Sequence, residues 1–306
     1  MRRTIGIIGT GWVGSSIAIS ILQSGIADEL LLFDTNYQIA EGESMDLSHG
    51  ASFYPAAEVR VSAINDMKNA DVIVIAAGRA SNASESRLSL LKDNTKIIKS
   101  IAERLASFKG IIIVVTNPVD ILTKILTEIS KLPSHRVLGT GTILDTARLK
   151  QNIGRILNID PHSVHAHVIG EHGDSEVILW SSIQVGGVEL KNFHSWDWNL
   201  KSQVDEDVRN AAYKIIQKKG STNHAVGLAT ADLLKSILRD EHRVLTVSKV
   251  QDNIKELGGA ALSLPTIIGA KGAIEVLVPN MSQIEKEQLI NSAAILNKAA
   301  KELESN

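Results

Sequence analysis

The first 140 residues repeat one arrangement of apolar and polar positions. Short runs of β-branched and aliphatic residues, Thr4–Ile8, Leu30–Phe33, Val59–Val61, Val72–Ala76 and Ile111–Val115, alternate with segments long enough for helical crossovers. Near-continuous apolar runs of this length mark strands buried on both faces, so this half reads as a parallel sheet between helices. Ser15–Gln23 is helix-compatible, with Ile17, Ile21 and Leu22 on one side and Gly25 as its stop. Val137–Leu138–Gly139 is a further short strand. From Thr142 onward the rhythm changes. A helical segment around Leu144–Leu149 precedes the alternating run Val164–His165–Ala166–His167–Val168, which predicts a strand ending in a loop. Val204–Leu238 reads as a long helical stretch broken at Gly220–Ser221–Thr222–Asn223. The chain ends in a helix opened by the capping box Ser282–Gln283–Ile284–Glu285, with a stripe of Leu289, Ala293, Leu296, Ala300 and Leu303. The expectation is an α/β fold: a doubly wound parallel sheet over 1–141, tightly joined to an α+β domain over 142–306.

Composition narrows the classes. The 306 residues are 44% hydrophobic and 22% charged, ordinary for a globular protein able to bury a full core. A formal charge of −2 gives no electrostatic case for nucleic acid or an anionic membrane as partner. With no cysteine, disulfides, thiolate catalysis and Cys-based metal sites are excluded, and the usage suits the cytoplasm. Arg2 and Arg3 precede an apolar stretch, but Gly6, Gly9, Gly11 and Gly14 interrupt it, so neither a signal peptide nor a membrane span is expected.

Candidate chemistry gathers at the ends of the apolar runs. Gly9–Thr10–Gly11–Trp12–Val13–Gly14 follows a strand and opens a helix, the arrangement that makes GxGxxG informative. Gly9 permits the tight turn, Gly11 clears a path for a pyrophosphate, and Gly14 lets helix pack on strand. The helix N-terminus offers free N–H groups to the phosphates. Asp34, twenty residues beyond Gly14, stands where a dinucleotide fold places the carboxylate for the adenosine ribose, which favours NAD over NADP. Taken alone, Asp34 is also a capping turn residue. Ala77–Gly78–Arg79 and Thr116–Asn117–Pro118 end later strands and should line the same crevice, although Asn117–Pro118 equally serves as a strand terminator.

Asp145 and Arg148 share a helix face, a spacing that by itself describes a solvated surface pair. Ile169–Gly170–Glu171–His172–Gly173–Asp174–Ser175 places a neutral-pH titrating group between glycines and carboxylates; without the cofactor motif it is equally a surface turn. In a strand, His165 and His167 would share a face, but His162, His165, His167 and His172 complete no convincing metal-ligand spacing, so no metal is expected. Trp196 and Trp198 read as packing on an outer hairpin or a subunit contact.

In order, Gly9–Gly14, Asp34, Thr116–Asp120, Gly139–Thr142, Leu144–Arg148 and Ile169–Ser175 resemble the L-lactate/malate dehydrogenase family over nearly the whole chain. Met45–Gly50 and Val244–Ser248 are more similar to its lactate branch. The resemblance implies an NAD-binding Rossmann domain, then a catalytic domain that also mediates oligomerisation into a dimer or tetramer. It implies that His172 gives a proton to the carbonyl of a 2-oxo acid while NADH delivers hydride to the carbonyl carbon. Asp145 would orient and charge the imidazole, Arg148 would fork the substrate carboxylate, and Arg87 would polarise the carbonyl. Asn117 would hold substrate and nicotinamide, its bond to Pro118 being open to the cis form, and Thr222 would stand beside the substrate side chain.

Two departures stand out within that resemblance. Ser81 replaces the Gln of lactate enzymes or the Arg of malate enzymes, which argues against oxaloacetate unless Arg79 takes that place. The smaller side chain leaves room for bulkier 2-oxo acids, as in L-2-hydroxyisocaproate dehydrogenases. Asn223–His224 alters the same wall. Lys150 stands where sugar-bisphosphate-activated relatives carry an arginine, though His165 matches their histidine; a lysine cannot make the forked phosphate contact. NAD-requiring glycosidases, related in fold, need a Cys/His metal site absent here, and a non-catalytic NAD sensor has no need of the full set His172, Asp145, Arg148 and Arg87.

Overall fold

The computed structural model describes residues 2–79 and 87–304, and for residues 87–89 and 304 the backbone alone. Among them one nine-stranded sheet runs through both halves of the chain. Its parallel part comprises β1 (Thr4–Ile8), β2 (Glu29–Phe33), β3 (Glu58–Val61), β4 (Val72–Ile75), β5 (Ile111–Val114) and β6 (Val137–Gly139). In space these lie in the order β3-β2-β1-β4-β5-β6, so the direction of winding reverses between β1 and β4. That reversal opens a crevice at the carboxyl ends of the strands, where ligands of open α/β sheets bind. The crossovers are α1 (Trp12–Ser24), α2 (Tyr37–His49), α3 (Arg87–Arg104) and α4 (Val119–Ser130).

The apolar runs form buried strands because alternate side chains feed two cores. Ile5, Ile7, Val72, Val74, Ile111 and Ile113 pack with Ile17 and Ile21 of α1. Ile8, Ile73, Ile75, Ile112 and Val114 pack on the other face with Ile98 of α3 and Leu122 of α4. Truncating one such isoleucine to alanine costs about 2–5 kcal/mol.

The second half adds α5 (Ile143–Leu157), β7 (Val164–His165), β8 (Val168–Ile169), β9 (Val177–Ile178), β10 (Gln184–Val185) and β11 (Val188–Glu189). It continues with α6 (Lys201–Arg209), α7 (Ala211–Lys219), α8 (His224–Leu238), β12 (Arg243–Val250), β13 (Ala261–Gly269), β14 (Gly272–Val276) and α9 (Gln283–Glu304). β12, β13 and β14 extend the first sheet antiparallel beyond β6, through the pairing of Ser248 with Gly139.

Three expectations are corrected here. The run 164–168 is two strands rather than one: β7 pairs with β10, β8 with β9, and the chain changes partner between them. His165 and His167 therefore do not share a strand face. The helical stretch 204–238 breaks at Asn210 as well as at 220–223. Trp196 is buried rather than on an outer hairpin, its ring 5.8 Å from Trp180 and 5.9 Å from Trp198. No helix among the described residues is long and apolar enough to cross a membrane.

Candidate active site

At the mouth of β1 the backbone turns into α1 through Gly9, whose φ of +95° is a left-handed value that favours glycine. A Cβ on Gly14 would lie 1.9 Å from the Gly9 carbonyl oxygen, so helix and strand meet at a distance only glycine permits. A Cβ on Gly11 would touch nothing within 4 Å, which leaves the approach to the helix N-terminus open. Gly11 caps α1 without a side-chain hydrogen bond, so the first-turn N–H groups from Trp12 to Gly14 remain for an anion. The Trp12 side chain is 63% exposed and Val13 packs inward.

Gly9, Gly11, Asp34, Gly78 and Arg79 line one crevice of about 570 Å³. Asp34 accepts hydrogen bonds from the Thr10 N–H at 2.9 Å and the Asn36 N–H at 3.0 Å. It thus serves the turn and still presents its carboxylate to the crevice. These features fit a dinucleotide: an open glycine over free N–H groups, with an acid at the end of β2. Arg79 is committed elsewhere, its guanidinium held by Asp93 at 2.9 Å. Asn117 joins Pro118 through a cis peptide bond, and its carbonyl accepts from Asn94 at 2.9 Å.

The second cluster is built by α5 and the loop after β8. Asp145, 2% exposed, sits in the first turn of α5 and bridges two groups. Its Oδ2 lies 2.5 Å from Nδ1 of His172, and its Oδ1 accepts from Nη1 of Arg148 at 2.7 Å. The surface ion pair suggested by spacing alone is therefore a buried bridge. With Nδ1 engaged, Nε2 is the ring nitrogen left for a reactant, and the His172 side chain is 23% exposed.

Burial would depress the imidazole, but the charge and hydrogen bond of Asp145, joined by the charge of Asp120, raise it to about 9. For Asp145 burial works upward and is outweighed by His172 and Arg148, which hold the carboxylate below its usual range. Arg148 and Thr222 line a cavity of about 660 Å³ next to this bridge. Asn223 ties that wall to the cofactor helix by donating to Oγ of Ser16 at 2.9 Å.

Residues 3–139 match the lactate/malate dehydrogenase NAD binding domain, and residues 142–306 match the lactate/malate dehydrogenase alpha/beta C-terminal domain. The chain belongs to the lactate/malate dehydrogenase family. An L-lactate dehydrogenase of Kosmotoga olearia is 44% identical, the alignment covering 99% of this chain and 97% of that protein. One of Thermus aquaticus is 40% identical over 98% of this chain and 99% of its own. A minor L-lactate dehydrogenase of Enterococcus mundtii, solved with ligands bound, superposes with a TM-score of 0.95 at 36% identity over 98% of both chains.

As a lactate/malate dehydrogenase family member, the chain holds two buried carboxyls near His172 that spacing did not single out. Asp120 accepts the His172 backbone N–H at 2.7 Å. Glu176 is buried with Oε1 unpaired, and burial together with the charge of Asp145 pushes it up to about 8. The available signal for Asp120 was an acid opening an apolar helix; Glu176 had none, because the charges that act on it, Asp145 of α5 and Arg209 of α6, lie far away in sequence. Ser81 lies outside the described residues, as does the Arg87 side chain. Among the described residues no group of three or more His, Cys, Asp or Glu side chains is placed to hold a metal ion.

Proposed function

We propose that this chain is an NAD-dependent L-2-hydroxy acid dehydrogenase of the lactate branch, interconverting a 2-oxo acid and its L-2-hydroxy acid. The observation that carries the reading is the single buried carboxylate of Asp145 joining His172 and Arg148 at 2.5 and 2.7 Å. One group then sets a proton donor and an anion clamp at a fixed separation, as a substrate with adjacent carbonyl and carboxylate requires. Bound NADH supplies the hydride that goes to the carbonyl carbon.

His172 gives its Nε2 proton to the carbonyl oxygen, and Asp145 stabilises the imidazolium and fixes which nitrogen reacts. Because the imidazole is raised to about 9, it carries its proton at neutral pH, which suits the reduction; oxidation of the hydroxy acid needs it empty and gains as pH rises. Arg148 holds the substrate carboxylate, and Arg87 polarises the carbonyl. Asn117 steadies substrate and nicotinamide, while Thr222 borders the substrate side chain; Ser81 is assigned to the same role by its position in the sequence. Trp12, Val13 and Gly14 would offer backbone N–H groups to the pyrophosphate, Gly9, Gly11 and Gly78 would keep its path clear, and Asp34 would take the ribose hydroxyls.

A monocarboxylic 2-oxo acid is favoured over oxaloacetate, because Arg79 is paired with Asp93 in the cofactor crevice rather than lining the cavity of Arg148. Ser81 supports bulkier side chains than that of pyruvate. The working form is read as a cytoplasmic homo-oligomer, a dimer or tetramer.

The test is NADH oxidation at neutral pH with pyruvate, 2-oxoisocaproate, phenylpyruvate and oxaloacetate. Turnover of the monocarboxylic acids is expected, with the higher kcat/KM on the bulky ones. His172→Gln should lose at least a thousandfold in kcat while still binding NADH. Preference for oxaloacetate, or undiminished turnover by the variant, contradicts the assignment.

A further inference from the structure

The loop carrying His172 is fastened from beneath as well as from the side. Its backbone N–H donates to Oδ2 of Asp120 at 2.7 Å, across 52 positions of sequence. Asp120 belongs to the first turn of α4 and is 2% exposed. An acid in that place ordinarily serves the N-terminus of its own helix, yet the N-cap of α4 is Pro118, and the Val119 N–H goes to Oδ1 of Asn117 at 3.3 Å rather than to Asp120. The carboxylate instead spends its hydrogen bond on the loop. Its other oxygen, Oδ1, is buried beside Ser248 of β12. Burying a carboxylate this completely is costly unless its charge has a use or a partner. The partner here is the backbone of the residue proposed to move a proton.

We propose that Asp120 is a positioning residue for His172, clamping its loop through the main chain and setting a second buried negative charge beside the imidazole. The proposal rests on His172 being the proton donor. Asp145 acts on the ring itself through Nδ1, whereas Asp120 reaches the same residue through its amide. The titratable and charged groups around the ring are Asp145 and Arg148 from α5, Asp120 from α4, and Glu171 and Glu176 from the loop, with Arg209 of α6 beyond Glu176. Two carboxylates raise the proton affinity of His172 and Arg148 opposes them. Removing the Asp120 charge therefore lowers that affinity even though the Asp145 contact is untouched.

The experiment follows the titration of His172 by NMR in histidine-labelled protein without cofactor, its resonance assigned by loss in His172→Gln. Asp120→Asn keeps an oxygen to accept the amide and removes the charge; its His172 midpoint should fall by about one pH unit, a tenfold weaker hold on the proton. The alkaline limb of 2-oxo acid reduction should move the same way. Asp120→Ala, which removes the acceptor too, should lose at least tenfold in kcat across the pH range. A His172 midpoint in Asp120→Asn equal to the parent's overturns the proposal, as does full turnover by Asp120→Ala.

Should Asp120→Asn fail to fold, Asp120→Ser removes the same negative charge with a smaller side chain and must also lower the His172 midpoint; no shift again overturns it. Since the midpoint is read without turnover, a shifted midpoint in a protein that reduces no oxo acid strikes the dehydrogenase reading alone. An unmoved midpoint in an active enzyme strikes only Asp120.

Discussion

Glu176 holds a proton in the fold that it cannot keep in the unfolded chain. Its carboxyl is raised to about 8 by burial and by the charge of Asp145, against roughly 4.3 when solvated. Between those values the unfolded state binds fewer protons, so the folded state loses stability as pH climbs. His172, raised to about 9 from an ordinary value near 6.5, acts in the same direction: its contribution is full below 6.5 and disappears as pH rises through 9. We expect Glu176→Gln to melt above the parent at pH 8, with the gap closing toward pH 5. Thermal melts of both proteins at the two pH values measure it, and a gap independent of pH contradicts the assignment. His172, Asp145 and Arg148 were legible because their spacing sits in a motif. Asp120 and Glu176 were not, because a buried charge is defined by what distant segments bring against it.

Glu285 shows the same limit for a helix. The sequence Ser282–Glu285 announces a capping box, and the box is present: Glu285 takes the Ser282 N–H at 2.7 Å, and Ser282 Oγ takes the Glu285 N–H at 3.3 Å. Unannounced is that the same carboxylate accepts from Ser181 N–H at 2.9 Å and from Ser181 Oγ at 2.5 Å, 104 residues earlier. Glu285 therefore starts α9 and staples the loop after β9 to it. These hydrogen bonds outweigh burial and hold its carboxyl below the usual range. Ser282→Ala should cost about 1 kcal/mol and Glu285→Ala about 2 kcal/mol, since the latter also removes both hydrogen bonds from Ser181. Urea titration measures the order, and equal costs would mean that the Ser181 staple is idle. The split of 164–168 into β7 and β8 was hidden for the same reason: alternation marks a strand but not its partner, and here the partner changes midway.

The parallel half was the most legible part of the molecule, since a sheet covered on both faces leaves its mark in every strand. Its antiparallel extension was not, because β12 joins β6 through the single pair Ser248 and Gly139. Apolar side chains left outside the fold include Ile39 and Met45 of α2, Leu228 of α8, and Phe53, which is 89% exposed. Scattered apolar residues are normal on a surface, and the homo-oligomer proposed above would cover some of these. Sedimentation equilibrium is expected to give two or four times the chain mass, and Met45→Glu with Phe53→Glu to reduce it; a single-chain mass for the parent contradicts the oligomer. The join between the halves also bears on recombination between related enzymes. A Cβ on Gly141 would come within 2.2 Å of Ser263 Oγ and 2.6 Å of the Ser248 amide, so two segments more than 100 residues downstream are moulded to this turn. A hybrid spliced near residue 141 would inherit a good fit only if the donor of the second half brought Ser263, whose Oγ accepts the Thr142 N–H at 3.1 Å, and a backbone that follows the same path at 248, so the most natural place to cut the gene is among the less forgiving places to cut the protein.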